Sequence, residues 1–277
     1  MNMQEIKRVL DHGFVRIVDV MGNDRSVVNA ARISYSSACD HEEINGEQVE
    51  KDRKLINYLM KNRHTSPFEM CEIKFHVKVP IFVARQWLRH RTANVNEISA
   101  RYTKLPYEFY VPEKENINPQ SSNNRQGRDL TRSFSTFLVD SIQGQIKTHS
   151  EDSHVMYDDL LYKNISRELA RTVLPLNQYT EFYWKIDLHN LLHFLKLRMD
   201  GHSQYETRCY ANTIAEYVRQ WVPMTWEAFE TYTLNSVQFS KKEMDVLKKW
   251  LNHEEMTQET SGLSKREYRE LKEVFEK

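Results

Sequence analysis

Glycine is scarce in this chain: seven residues, at positions 13, 22, 46, 127, 144, 201 and 262, with no two in a Gly-x-Gly arrangement. Dinucleotide-binding fingerprints and phosphate loops need closely spaced glycines, so neither device is available. Any dinucleotide has to be held by side chains and helix ends. Cysteine is scarcer still, with Cys39, Cys71 and Cys209 scattered and odd in number. They draw no disulfide framework and no zinc spacing, and no local signature marks an activated nucleophile. All three read as space-filling residues. Neither sign of charge is in excess, because lysine plus arginine and aspartate plus glutamate each number 39. A dedicated nucleic-acid binder is usually markedly basic, and this balance weighs against that class. No apolar run reaches bilayer length, and Met1–Leu10 lacks the apolar centre of a signal peptide. These absences leave a soluble, cytoplasmic protein without a membrane partner as the expectation.

Histidine is plentiful, with eleven residues, and His189 and His193 have the i, i+4 spacing that can chelate a metal from one helix face. Asn190 follows His189, so the glutamate of a zinc-protease motif is missing. No cysteine or acidic cluster completes a ligand set. No metal is expected.

At 277 residues the chain can bury a sizeable core. Phe14–Met21 alternates as a strand does and is stopped by Gly22-Asn23. Asp24 or Ser26 is placed to cap a helix carrying Val27, Val28, Ala30, Ala31 and Ile33. Residues 36–50 read as a polar loop, and Asp52–Asn62 carries Leu55, Ile56, Leu59 and Met60 at helical spacing. Ser66 with Glu69, and Pro67 between, reads as a capping box that leaves backbone N–H groups free for an anion. Cys71–Val79 sets Ile73, Phe75, Val77 and Val79 against Glu72, Lys74, His76 and Lys78, which predicts a half-buried antiparallel strand.

Pro80 suits the first position of the next helix, whose Ile81, Ala84 and Leu88, beside Val83 and Trp87, form a face for burial. Leu105–Val111 is a further strand candidate. Residues 113–128 read as surface loop, Leu130 to Ile142 as a helical stripe and 143–154 as polar again, together an insertion over about 113–154. Arg167–Leu174 predicts a helix ended by Pro175, and Tyr179–Ile186 a strand. Asp187 can cap a helix with Leu188, Leu191, Leu192, Leu195 and Met199 inward, and another helix runs through Ala211, Ile214, Ala215 and Val218. The tail offers capping boxes at Ser240–Glu243 and Ser264–Glu267, with Met244, Leu247 and Leu251, then Leu271 and Phe275, on two short amphipathic helices. The expected fold is α+β, a mixed antiparallel sheet with packed helices over 1–235, and a helical C-terminal extension over 236–277.

The stretch Arg89 to Tyr102 stands out. Arg89, His90 and Arg91 come in succession where the apolar helix pattern stops, with Gln86 on the same side of its last turns. Guanidiniums keep their charge at any working pH and repel one another unless an anion lies between them, and phosphate fits their fork geometry. Thr92, Asn94, Asn96, Glu97, Ser99, Arg101 and Tyr102 add hydrogen-bonding groups within eleven residues. On spacing alone two readings stand: a solvated charged face, or a small-molecule site on a rigid support. Arg85, Arg89, Arg91 and Arg101 would also serve a non-catalytic nucleotide or nucleic-acid binding protein as a phosphate patch.

This stretch resembles the signature of flavin-dependent thymidylate synthases: Arg-His-Arg, two residues, Ser, one residue, Asn-Glu, one residue, Ser, one residue, Arg-Tyr. Every fixed position matches except one, where Asn94 replaces serine. The likeness extends over 13–112 and 167–229, through Gly13 to Arg32, His64–Glu69, Phe75–Arg89, Arg171–Pro175, Leu192–Arg198 and His202–Glu206. It implies that family's fold and a homotetramer with active sites shared between subunits. It further implies that each site binds FAD and dUMP, takes a one-carbon unit from methylenetetrahydrofolate and reducing equivalents from NADPH, and makes dTMP.

By position, the resemblance places dUMP against Gln86, Trp87, Leu88, Arg89, Glu97, Ile98, Ser99, Ala100, Arg101 and Arg171. Gln86, Arg89, Ser99, Arg101 and Arg171 would hold mainly its phosphate and sugar. FAD would meet Ser66, Arg89, His90, Arg91, Glu97, Asp187, His189 and His193. Arg198, the expected catalytic residue, would sit at the uracil ring, where a fixed cation favours the ionised pyrimidine and raises electron density at C5. Two further departures concern the flavin: Asp187 stands where asparagine is expected and His189 where arginine is common. An added carboxylate and a lost cation would weaken attraction for a pyrophosphate.

Overall fold

Strands β1 (Ile6–Val9), β2 (Gly13–Met21), β3 (Glu72–Pro80), β4 (Asn94–Glu97) and β5 (Tyr179–Asp187) form one sheet in the order β1-β2-β3-β5-β4, antiparallel throughout. The computed structural model describes residues 5–34, 46–122 and 126–275. The alternation in β3 and β5 decides the register: Ile73 faces Ile186, Phe75 faces Trp184 and Val77 faces Phe182, all buried. A slip by one residue would turn both sets out of the core. Fully burying side chains of this size contributes roughly 1.5–3 kcal/mol each.

Helices α1 (Asp24–Ile33), α2 (Gly46–Lys61), α3 (Ser66–Glu69) and α4 (Ile81–Trp87) lie in the first half of the chain. After them come α5 (Thr136–Tyr162), α6 (Arg167–Ala170), α7 (Leu188–Arg198), α8 (Tyr205–Trp221) and α9 (Pro223–Phe229). Val27, Ile56, Val83, Leu191, Leu195, Ile214, Val218 and Phe229 join the sheet's apolar face in one core. Trp87 sits at its centre, with ring centroids 5.1 Å from Trp184 and 5.0 Å from Phe194. That packing carries α4 across the sheet and fixes where its C-terminal turn points.

Several local expectations give way to packing. Asn23, not Asp24 or Ser26, caps α1, and Ser26 completes its capping box. Asp24 is buried instead, accepting from the N–H groups of Met224 and Thr225 and from the Thr225 hydroxyl at 2.6 Å. No capping box forms at Ser66: α3 starts one residue early, and the Thr65 carbonyl takes the N–H groups of Phe68 and Glu69 that an anion was expected to meet. Pro80 closes β3 opposite Tyr179 and serves as the N-cap of α4, not its first residue. In α4 the buried residues are Val83, Ala84 and Trp87, while Ile81 and Leu88 are half-buried.

The expected loop over 36–50 is helical from Gly46, because α2 extends back six residues past Asp52; its earlier part, with Cys39, lies outside the described residues. Leu105–Val111 is no strand, since only Phe109 makes a bridge, to Gln178. Residues 143–154 continue α5, whose inward positions there are Ser150, Ser153 and His154. Arg167–Leu174 divides into α6 and a tighter turn over Arg171–Val173.

Two compact units divide the chain, Met1–Leu234 and Asn235–Lys277. The second contains α10 (Lys241–Leu251), α11 (Gln258–Ser261) and α12 (Lys265–Phe275) around Val246, Leu263 and Leu271. Capping boxes at Ser240–Glu243 and Ser264–Glu267 start α10 and α12. The inward stripe of α10 runs through Val246, so Met244 and Leu251 face outward, while Phe275 on α12 is partly exposed and packs its ring on Phe239 and Trp250. Among the described residues no helix is long and apolar enough to cross a membrane.

Candidate active site

The signature stretch is a turn followed by an edge strand. Helix α4 ends at Trp87, with the Leu88 N–H donating to the Ala84 carbonyl, and Arg89–Ala93 turn the chain into β4. β4 pairs Asn94 with Lys185 and Glu97 with Phe182, so the rigid sheet positions the polar run. The Ile98 N–H donates to the Glu181 carbonyl at 2.9 Å, extending the attachment by one residue.

One cleft, of about 400 Å³, opens beside this strand. Glu97, Ile98, Ser99 and Ala100 form one wall, Arg171 with Leu174–Leu176 another, and Ile81, Leu105 and Thr180 the remainder. Five residues expected at dUMP therefore meet in one cavity. Glu97 accepts from the Thr180 hydroxyl at 2.6 Å. Arg101 stands beside the cleft wall, its guanidinium 3.2 Å from Glu168, and its backbone N–H donates to the Ser99 hydroxyl at 3.3 Å. That ion pair is exposed and contributes little to stability.

A second cluster lies at the far end of α4, roughly 9 Å of helix away from Ile81. Arg198, in the last turn of α7, donates from Nε to His90 Nε2 at 3.0 Å and from Nη2 to the Gln86 carbonyl at 3.1 Å. Because Nε2 accepts, the imidazole proton resides on Nδ1. Burial first, then the charges of Arg198 and His193, lower the His90 pKa from 6.5 to about 4. Neutral His90 can thus hold a guanidinium without repelling it. Burial also lowers the pKa of Arg198. Phe194 packs edge-on against His90 at 4.9 Å, and the exposed His193 ring lies 6.0 Å away.

The other expected residues are more dispersed. The Trp87 side chain is fully buried in the aromatic core, so a nucleotide can reach only its backbone. Leu88 is half-buried at the helix end, and Ser66 is exposed at the start of α3. Asp187 caps α7, and its two carboxylate oxygens accept from the backbone and side-chain nitrogens of Asn190. Its charge is thereby drawn onto its own helix. His189 is half-buried in the first turn of that helix. Arg89 and Arg91 are exposed and, like Arg171 and Arg198, make no ion pair with any described carboxylate. Of these, Arg89 and Arg91 sit together in the turn after α4, and guanidiniums without carboxylate partners suit a pyrophosphate. This donor set fits FAD held by side chains. Among the described residues no cluster of three or more His, Cys, Asp or Glu could hold a metal ion.

Residue-by-residue reading did not select Thr180, Phe194, Gln204 or Thr207, which contact Glu97, His90 and Gln86. Phe194 and Gln204 were signalled only by their places in the matched blocks Leu192–Arg198 and His202–Glu206.

An antiparallel sheet with packed helices, holding a cleft of small-molecule size lined by Arg171, Glu97 and Ser99, defines an α+β protein with a small-ligand site. The sequence profile of the Thymidylate synthase complementing protein family matches residues 16–224. The chain belongs to this family, that of the flavin-dependent thymidylate synthases. The flavin-dependent thymidylate synthase of Ehrlichia ruminantium (strain Gardel) is 54% identical over 268 residues, covering 97% of this chain and 87% of the relative. That of Wolbachia pipientis wMel is 49% identical over 278 residues, covering 99% and 94%. Among solved structures, the UMP/dUMP methylase PolB from Streptomyces cacaoi bound with 5-Br dUMP superposes with a TM-score of 0.72 at 33% identity. The superposition covers 82% of this chain and 98% of that one.

Proposed function

We propose that this chain converts dUMP to dTMP by reductive methylation, with methylenetetrahydrofolate as one-carbon donor, FAD as bound hydride carrier and NADPH as reductant. The observation that carries the reading is Arg198, fixed by neutral His90 and the Gln86 carbonyl at the opposite end of α4 from the cleft. Two of its five N–H groups are used and three remain for a ligand. A uracil ring placed there meets a permanent cation at its N3/O2 edge. Negative charge developing on the ring is stabilised, and C5 becomes the nucleophile toward the one-carbon unit.

Arg171, Arg101 and Ser99 then hold the phosphate and sugar in the cleft, Glu97 and its neighbours orient the nucleotide, and Arg89 spans dUMP and FAD. Trp87 and Leu88 contribute their backbone. Ser66, His90, Arg91, Asp187, His189 and His193 make up the flavin side. FAD, when bound, supplies the hydride that completes the methyl group, and the protein contributes binding and orientation. Catalysis belongs to the first unit, with 236–277 as an extension. The active assembly is a cytoplasmic homotetramer whose subunits share sites.

The test is release of tritium from 5-tritiated dUMP by the flavin-loaded protein given methylenetetrahydrofolate and NADPH. Release is expected, together with a change in the flavin spectrum on adding dUMP. Flavin binding without tritium release and without that change would sink the proposal.

A further inference from the structure

Gln86 is held at three atoms, and two of the holding groups come from the start of α8. Its Nε2 donates to Gln204 Oε1, and its Oε1 accepts from the Thr207 hydroxyl at 3.5 Å. Its backbone carbonyl receives Arg198. Gln204 and Thr207 are three apart at a helix N-terminus and so share one face. Gln204 occupies the N-cap position of α8, yet its side chain makes no capping bond. It reaches Gln86, 118 residues away in sequence, instead. Thr207 is fully buried, so its hydroxyl needs an internal partner.

This face is anchored from behind. Glu206, buried to 1% exposure, accepts from the Tyr110 hydroxyl at 3.0 Å and is paired with Arg128. Arg128 donates its other amino group to the Asn116 carbonyl at 2.7 Å, which ties the polar insertion to the first turn of α8. An unpaired Gln86 would sample many rotamers and lose that freedom on binding a nucleotide. The clamp removes that freedom in advance. It works in either amide orientation, because a hydroxyl and an amide can each donate or accept.

We propose that Gln204 and Thr207 are positioning residues of the nucleotide site, clamping Gln86 in the rotamer that meets dUMP. The inference rests on the reading that Gln86 contacts the nucleotide, and it gives the insertion a role as the backing of the clamp.

The test compares Gln204→Met, Thr207→Val, Thr207→Ser, Gln86→Met and the double variant Gln86→Met with Gln204→Met, all as flavin-loaded full chains. KM for dUMP is expected to rise about five- to tenfold in Gln204→Met and Thr207→Val, with kcat within about twofold. Thr207→Ser is expected to return KM to within about twofold of the parent, and the double variant to match Gln86→Met alone. If Gln86→Met raises KM while Gln204→Met and Thr207→Val do not, the clamp is overturned and the nucleotide contact stands. If Gln86→Met leaves KM unchanged, the contact itself falls, and the clamp with it. A loss of kcat and melting temperature together, unrescued by Thr207→Ser, would mark a purely structural role and also overturn the proposal.

Discussion

His90 Nε2 accepts a hydrogen bond from Arg198 Nε across 108 residues of sequence, and burial keeps that imidazole neutral. A charged histidine there would repel the guanidinium it holds. The pair therefore functions only in one protonation state, and that state is the one the fold enforces. Arg198 is left with a fixed position, a permanent charge and unused N–H groups.

Replacing Arg198 should accordingly cut turnover severely without unfolding the chain. Arg198→Ala is expected to lower kcat about 10²–10³-fold, the cost of deleting one preorganised charge donor. Arg198→Lys should rescue little, since an ammonium cannot reproduce the fork that engages His90 and Gln86 together. Circular dichroism and steady-state rates on both variants check this. Parental turnover in Arg198→Ala would remove the assigned role.

The same pair sets a pH dependence. In the unfolded chain His90 takes up its proton near 6.5, whereas in the fold it does so only near 4. Between these values the unfolded state binds more protons, so stability increases with pH. The contribution from neutral His90 is complete above 6.5 and is lost as pH falls toward about 4. Melting temperatures at pH 7 and pH 5 should differ more in the parent than in His90→Asn. Identical differences would show that His90 does not carry the effect.

Legibility followed burial. The alternation of Ile73, Phe75, Val77 against Phe182, Trp184, Ile186 could be read because each strand has one apolar and one polar face. β4 could not, because Asn94, Val95, Asn96 and Glu97 are all exposed on an edge and leave no periodic trace. The middle of α5 escaped for the opposite reason. Its inward Ser150 and Ser153 satisfy their hydroxyls on carbonyls one turn back, and His154 bonds Gln178 at 2.5 Å, so polar residues occupy core positions. At the site, the Arg89–Tyr102 signature was legible as a pattern. Its contacts with Arg198, Thr180 and Gln204 join segments far apart in sequence, and spacing carries no information about those.

Trp87 separates packing from binding. Its indole is fully buried between Trp184, Phe182 and Phe194, so Trp87→Ala should cost about 3–5 kcal/mol in urea unfolding. Trp87→Phe keeps the ring against Phe194 and leaves the backbone in place. In that variant KM for dUMP should stay within about twofold of the parent. A large rise in KM at preserved stability would mean that the indole itself meets the ligand.

Arg171 and Arg101 flank the same cleft region under different electrostatic conditions. Arg171 makes no ion pair with a described carboxylate, whereas Arg101 lies 3.2 Å from Glu168. Arg171→Ala should therefore raise KM for dUMP about 10- to 100-fold, the range for a lost hydrogen bond to a charged group. Added salt should narrow the difference by screening the phosphate. Glu168→Gln should act the other way, releasing Arg101 toward the phosphate and lowering KM modestly. Its effect on stability should stay within about 0.5 kcal/mol, because the pair is exposed. Steady-state kinetics at low and high salt measure both. A higher KM in Glu168→Gln would mean that the ion pair holds Arg101 in its binding position and does not compete with the nucleotide for it.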